Sequence, residues 1–213
     1  MSFPGRTYSQ REIAADAAVH AMGVAFALIA GPILIGLVAA QGEAWPIVAV
    51  SIYVATLIAM LSLSATYNLN PFDGARDWLR RLDHSTIYLK IAGAYTPFAM
   101  ISIGGGVGTA LLSVVWLTAL VGISLKLFFP HRFEMLSLAL YLAMGWAAVA
   151  VYGDVAESLK GDTLTLIVIA GCLYTAGVVF HVWESLPYQN AIWHVFVLAA
   201  TATLYAGMAF EFA

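Results

Sequence analysis

The sequence predicts an all-α membrane protein: a seven-transmembrane helix bundle with its N-terminus in the cytoplasm and its C-terminus outside. Three observations carry that expectation. The chain of 213 residues is 62% hydrophobic and 10% charged, with a mean hydropathy of +0.89. A soluble domain carries about a quarter charged residues, and one of this size has no interior large enough to hide so much apolar surface. Seven runs approach the roughly 20 apolar residues that cross a bilayer. Finally, lysine and arginine gather in alternate connections, as cytoplasmic loops do.

The first span lies near 18–40. It follows a polar stretch holding Arg6, Arg11, Glu12 and Asp16 and is too long for the core of a cleavable signal peptide. "AQGEAWP", with charge, Gly and Pro, separates it from the second span near 45–69. The polar turn "NPFDGARDWLRR" leads to the third, near 83–103, and "GGGVG" is a flexible hinge before the fourth, near 107–129. The charged turn "FPHRFE" precedes the fifth and shortest, near 134–152. "YGDVAESLKGD" and "WESLPYQ" set off the sixth and seventh, near 163–182 and 190–211. Residues 1–213 thus read as a single seven-helix membrane domain without repeats.

With seven spans, Arg6, Arg11, Arg76, Arg80, Arg81, Lys126 and Arg132 fall on one side and Lys160 alone on the other. This bias places the chain in the inner (plasma) membrane of a cell as a multi-pass protein, N-terminus inside. Trp45, Trp78, Trp146, Trp183 and Trp193 sit near span ends, as interface anchors do. A net charge of -3 gives no sign of nucleic-acid binding. Cys172, the single cysteine, excludes an internal disulfide and reads as a small core residue.

Polar groups collect at one depth. His20, His84, His131, His181 and His194 all map to the cytoplasmic half, with Glu12, Asp16, Asp83 and Glu184 at the same level, and Ser64 and Asn68 at the inner end of the second span. Ionisable groups in the membrane are costly and face the bundle interior or water, so the pattern predicts a polar cavity open to the cytoplasm. Simpler readings stand beside it. Asp16 and His20, four apart, suit a local ion pair at a helix start; Asp83 suits an N-cap; Ser64 and Asn68 suit helix-to-helix hydrogen bonds. His131 and His181 read as interfacial, and Asp154, Glu157 and Asp162 as a solvated outer loop. Asn190 and His194 are also four apart, the spacing by which one helix face offers two ligands.

The strings "REIAADAAVHAMG" at 11–23, "SATYN" at 64–68, "RLDHSTIYLKIAGAYTPF" at 81–98 and "LPYQNAIWHVFVLA" at 186–199 closely resemble the hemolysin III family. That family stands with the progestin and adipoQ receptors and, more distantly, the alkaline ceramidases of the CREST superfamily. The resemblance implies a seven-helix bundle and a cytoplasmic zinc site. It assigns zinc to position 68, four after Ser64, and to positions 190 and 194, with Asp83 orienting a metal-bound water. This sequence departs from the pattern in a matched way: positions 68 and 190 are both Asn, and only His194 remains an imidazole.

Amide oxygens are weak zinc donors beside imidazole, thiolate or carboxylate. If each exchange weakens binding as a lost supporting residue does, the sum is on the order of 10²–10⁴-fold or more. Three outcomes follow. Ser64, Asn68, Asp83, Asn190 and His194 form a metal-free hydrogen-bonded network; or Asp83 joins Asn68, Asn190 and His194 in an oxygen-rich set for a harder ion such as Mn²⁺ or Mg²⁺; or zinc binds with help from His20 or His84. The preferred functional expectation is a metal-free or metal-weakened member whose partners are membrane lipids, acting in lipid binding or membrane homeostasis, with a lipid ligand in the bundle. The alternative is a metal-dependent hydrolase of a ceramide-like lipid amide, with Asp83 and Ser64 in catalytic roles. A pore-forming haemolysin lacks support, since no soluble-to-membrane amphipathic switch is evident.

Overall fold

The computed structural model describes residues 2–3, 6–70, 72–129 and 132–213; His131 lies outside the described residues. A short antiparallel pairing of Ser2–Phe3 with Arg6–Thr7 precedes the helices. The helices are α1 (Gln10–Ala39), α2 (Ala44–Leu69), α3 (Arg76–Pro97), α4 (Gly105–Phe128), α5 (Glu134–Gly145), α6 (Tyr152–Ser158), α7 (Gly161–Val182) and α8 (Gln189–Phe212).

Among the described residues, six helical stretches are long and apolar enough to cross a membrane: α1, α2, α4, the stretch Glu134–Ser158, α7 and α8. The third helix differs. Its first turns carry Arg76, Asp77, Arg80, Arg81 and Asp83, and its α-helical part stops at Pro97. A π-helical turn, Phe98–Ile103, continues it to Gly104. There the "GGG" run is used for its conformational freedom: Gly104 and Gly105 both have positive φ, 60° and 55°, a region open to glycine at little cost. The stretch after Glu134 is also not one helix. A 3-10 segment, Ala147–Val151, lies between α5 and α6.

Helix α1 starts from a reciprocal cap. The Ser9 side chain accepts from the Glu12 N–H, and the Glu12 carboxylate accepts from the Ser9 N–H, satisfying two of the backbone groups that a helix start leaves open. Helix α1 packs between α2 and α8, α3 follows α2, α4 follows α3, and α7 leans on α8. The main core holds Leu34, Val50, Tyr53, Leu57 and Met208 from α1, α2 and α8, all fully buried. A second core joins α3, α4 and α5 through Tyr88, Ala92, Val115, Ala119 and Met144.

Outer faces are apolar too, with Ile29, Ile33, Val114 and Leu117 each more than half exposed, as a lipid-facing surface requires. Cys172 is on such a face and is exposed, which corrects its reading as a core residue. Small residues let backbones approach: a Cβ added at Gly93 of α3 would lie 2.0 Å from Thr56 Oγ1 of α2. At the end where α7 starts, Lys160 donates from Nζ to the carbonyls of Phe210 and Glu211 at the C-terminus of α8, where carbonyls lack helical partners.

Candidate functional site

The start of α1, the end of α2, the start of α3 and the start of α8 meet at one end of the bundle, and each brings polar side chains there. Asp16 is the hub. It is 6% exposed, and its Oδ1 is 2.6 Å from His194 Nδ1. Asn190 Nδ2 donates both to Asp16 Oδ2 (2.9 Å) and to Asn68 Oδ1 (3.2 Å). Asn68 Nδ2 in turn donates to the Ser64 carbonyl at 3.0 Å and to its hydroxyl at 3.4 Å. One line of contacts therefore runs from α2 through α8 to α1, joining positions 174 and 122 residues apart in the chain. A charged group in a hydrogen bond makes it roughly twice as strong as a neutral pair, so Asp16 dominates the cluster.

His20 lies one turn after Asp16 on α1, with Nε2 3.6 Å from Asp16 Oδ2. Its ring centroid is 4.3 Å from that of His194, tilted by 57°. The ligand atoms of Asp16, His20 and His194 all lie within 4.8 Å of one another, the one such group of three among the described residues. Asp83 is buried in the first half of α3, beside Ser64. Glu12 belongs to the mouth of the site, where its carboxylate accepts from the Tyr188 N–H at 2.9 Å and pins the α7–α8 turn to α1.

His84 does not join this group. Its ring meets Tyr67 edge-on at 6.4 Å, and its carbonyl accepts from the Tyr141 hydroxyl. His181 pairs with the Trp193 ring, and its carbonyl accepts from Gln189. A narrow cleft lined by Tyr8, Glu12, Ile13, Asp16, Asn68, Tyr188, Asn190 and Ala191 leads to the hub. Its free volume of about 10 Å³ is room for one water at most.

The positions that the family resemblance assigns to zinc do not fit that ion. Asn190 turns its nitrogen toward Asp16 and Asn68, so that end cannot donate an electron pair, and Asn68 spends its oxygen on Asn190. One imidazole and two hydrogen-bonded amides make a poor zinc set. Sequence reasoning named each of these residues and missed two things. Asp16, expected as half of a local pair with His20 or as part of the cavity, is both: it pairs with His20 and is the centre of the cluster. A second buried polar group also exists: Lys90 of α3 donates to the Tyr174 hydroxyl of α7, its ammonium lies 4.3 Å from that ring's centroid, and Tyr174 shares a 2.7 Å hydrogen bond with Thr201 of α8. A lysine inside an apolar span was the available signal.

Comparison with known proteins agrees with the resemblance read from the motifs. The family model described as Haemolysin-III related matches residues 11–205. The chain is 36% identical over 198 residues to a hemolysin-3 homolog of Bacillus subtilis, covering 93% of each chain. It is 35% identical over 195 residues to the hemolysin-3 of Bacillus cereus, covering 92% of this chain and 89% of that protein. It is 26% identical over 202 residues to the human monocyte to macrophage differentiation factor, covering 91% and 82%. No solved structure matches the chain. With its apolar helices and this match over nearly its whole length, the chain belongs to the haemolysin III family and is a multi-pass integral membrane protein.

Proposed function

We propose that the chain crosses the inner membrane of the cell seven times, N-terminus in the cytoplasm, and acts there as a hydrolase of a lipid amide or ester, a ceramide-like bond in the first instance. Seven crossings need α3 with its π turn as one span and Glu134–Ser158 as another. The one-sided arginines and lysines support the orientation, which turns the Asp16 cluster toward the cytoplasm.

The observation that carries the hydrolytic reading is the Asp16–His194 pair. A buried carboxylate 2.6 Å from an imidazole nitrogen, with Asp16 lining a cleft beside it, is the arrangement of a general base and the group that orients it. With its Nδ1–H given to Asp16, His194 keeps Nε2 to take a proton from a water. Asn190 holds Asp16 in place through Oδ2. Ser64 joins the cluster through Asn68, and with the buried Asp83 it would orient the water or the scissile group.

One observation favours a second reading. The Asn190 hydrogen bonds to Asp16 and Asn68 tie α1, α2 and α8 together without a metal, as a structural network in a lipid-homeostasis protein would. The test is fatty-acid release, measured by mass spectrometry, from ceramides and lysophospholipids offered to the purified protein in nanodiscs. Release that disappears in Asp16→Asn is expected. A folded protein inert toward the whole panel refutes the hydrolase and leaves the network.

A further inference from the structure

We infer that Asp16, His20 and His194 form a zinc site built from α1 and α8, in place of the two positions where the family pattern puts zinc histidines and this chain has asparagine. The inference concerns the same cluster as the hydrolytic reading and takes its catalytic meaning from it: with zinc bound, Asp16 and His194 would be ligands and the ion, in place of the His194 imidazole, would acidify water; the metal is detectable without turnover.

Four observations converge. The first is the donor set: two imidazoles and one carboxylate are what open zinc sites with a free fourth position use. The second is an unpartnered atom. His20 is 4% exposed, and its Nε2 is buried with no hydrogen-bond partner. Leaving a buried polar atom unsatisfied is costly, and His20 has Asp16 and His194 immediately beside it.

The third is spacing. Two donors on a tetrahedral zinc, each about 2.0–2.1 Å from the ion, lie roughly 3.4 Å apart. The Asp16 Oδ2–His20 Nε2 separation is 3.6 Å, long for a hydrogen bond but close to that of co-ligands. The Asp16–His194 contact of 2.6 Å has to widen, which the aliphatic stem of Asp16 allows by rotation. The fourth is support. Asn190 donates to Asp16 Oδ2 and is itself held by Asn68, so the asparagines orient a ligand where histidines would have been ligands. Such supporting bonds matter about 10–100-fold in affinity. The cleft that reaches Asp16 between Asn68 and Asn190 leaves an approach for water.

The experiment uses the full chain in detergent, stripped with a chelator and titrated with Zn²⁺ against a chromophoric competitor. Co²⁺ serves as a spectroscopic substitute, since its visible bands report the number and type of ligands. Gel filtration and helical circular dichroism confirm folding. The expected result is one Zn²⁺ per chain, lost in His20→Ala, weakened about 10–100-fold in Asn190→Ala and kept in Asn68→Ala. If His20→Ala does not fold, His20→Gln takes its place, since it keeps the bulk and supplies only an amide. A folded parent that binds no Zn²⁺ overturns the inference, as does binding that survives loss of His20. Zinc bound without lipid turnover refutes the hydrolase alone, and turnover without zinc refutes the site alone.

Discussion

Replacing Gly93 by alanine tests whether α2 and α3, which carry Ser64, Asn68 and Asp83, are held as closely as described. The new Cβ would sit 2.0 Å from Thr56 Oγ1 and 2.9 Å from Thr56 Cβ and Cγ2. Thr56 cannot turn away freely. It is 6% exposed, and its hydroxyl donates to the Tyr53 carbonyl at 2.9 Å. Overpacking of this kind costs about 1–3 kcal/mol, and loss of the Thr56 hydrogen bond adds about 0.5–1.5 kcal/mol. Alanine returns at most about 1 kcal/mol of helix propensity over glycine. The steric term wins, for a net loss of roughly 1–3 kcal/mol. In a chain of this size that lowers Tm by about 2–4 °C per kcal/mol, read by circular dichroism in detergent. Thr56→Ala removes the hydroxyl and the methyl that clash and leaves only the Cβ at 2.9 Å, so the double variant should recover part of the loss relative to Thr56→Ala alone. A Gly93→Ala protein with unchanged Tm would refute the close approach. So would a double variant in which the two losses simply add, because contacting residues couple.

Two further predictions concern the buried lysine and the topology. Lys90→Met keeps the stem and removes an ammonium that contacts the hydroxyl and ring of Tyr174. Exchanging a buried charge for an apolar group of similar volume is often neutral or stabilising, so Tm should hold or rise; a fall of several degrees would show that the charge has a function in the fold. For topology, a fluorescent protein fused before residue 1 should glow, and alkaline phosphatase fused after residue 213 should be active. An inactive phosphatase with a fluorescent N-terminus would give an even number of crossings and contradict the seven-span orientation.

The membrane class was legible because lipid makes one uniform demand, apolar side chains for about 20 residues, and composition reports it. The same uniformity hides the rest. In a bundle whose lipid face is as apolar as its core, hydrophobic periodicity no longer tells inside from outside, which is why Cys172 was placed in the core and is exposed. Nor does hydropathy distinguish α-helical from 3-10 hydrogen bonding, so the run through Ala147–Val151 gave no warning of its break. At the site, spacing of four showed the Asp16–His20 and Asn190–His194 pairs one helix at a time. The contact between them spans 178 residues, and no local rule reports it. The matched asparagines were visible only because a motif supplied the positions to compare.

The central claim is that the Asp16 cluster performs hydrolysis on membrane lipids. Its most direct test is the rate of fatty-acid release from ceramide in nanodiscs by the parent and by Asp16→Asn, which keeps the side-chain shape and removes the carboxylate. Asp16 orients His194, and a positioned proton acceptor contributes about 10²–10⁴-fold; loss of its orienting carboxylate should forfeit most of that, so release by the parent and a fall of at least about 10²-fold in the variant are expected. Equal rates in the two proteins, or no release above protein-free nanodiscs by the folded parent on any lipid of the panel, would contradict it.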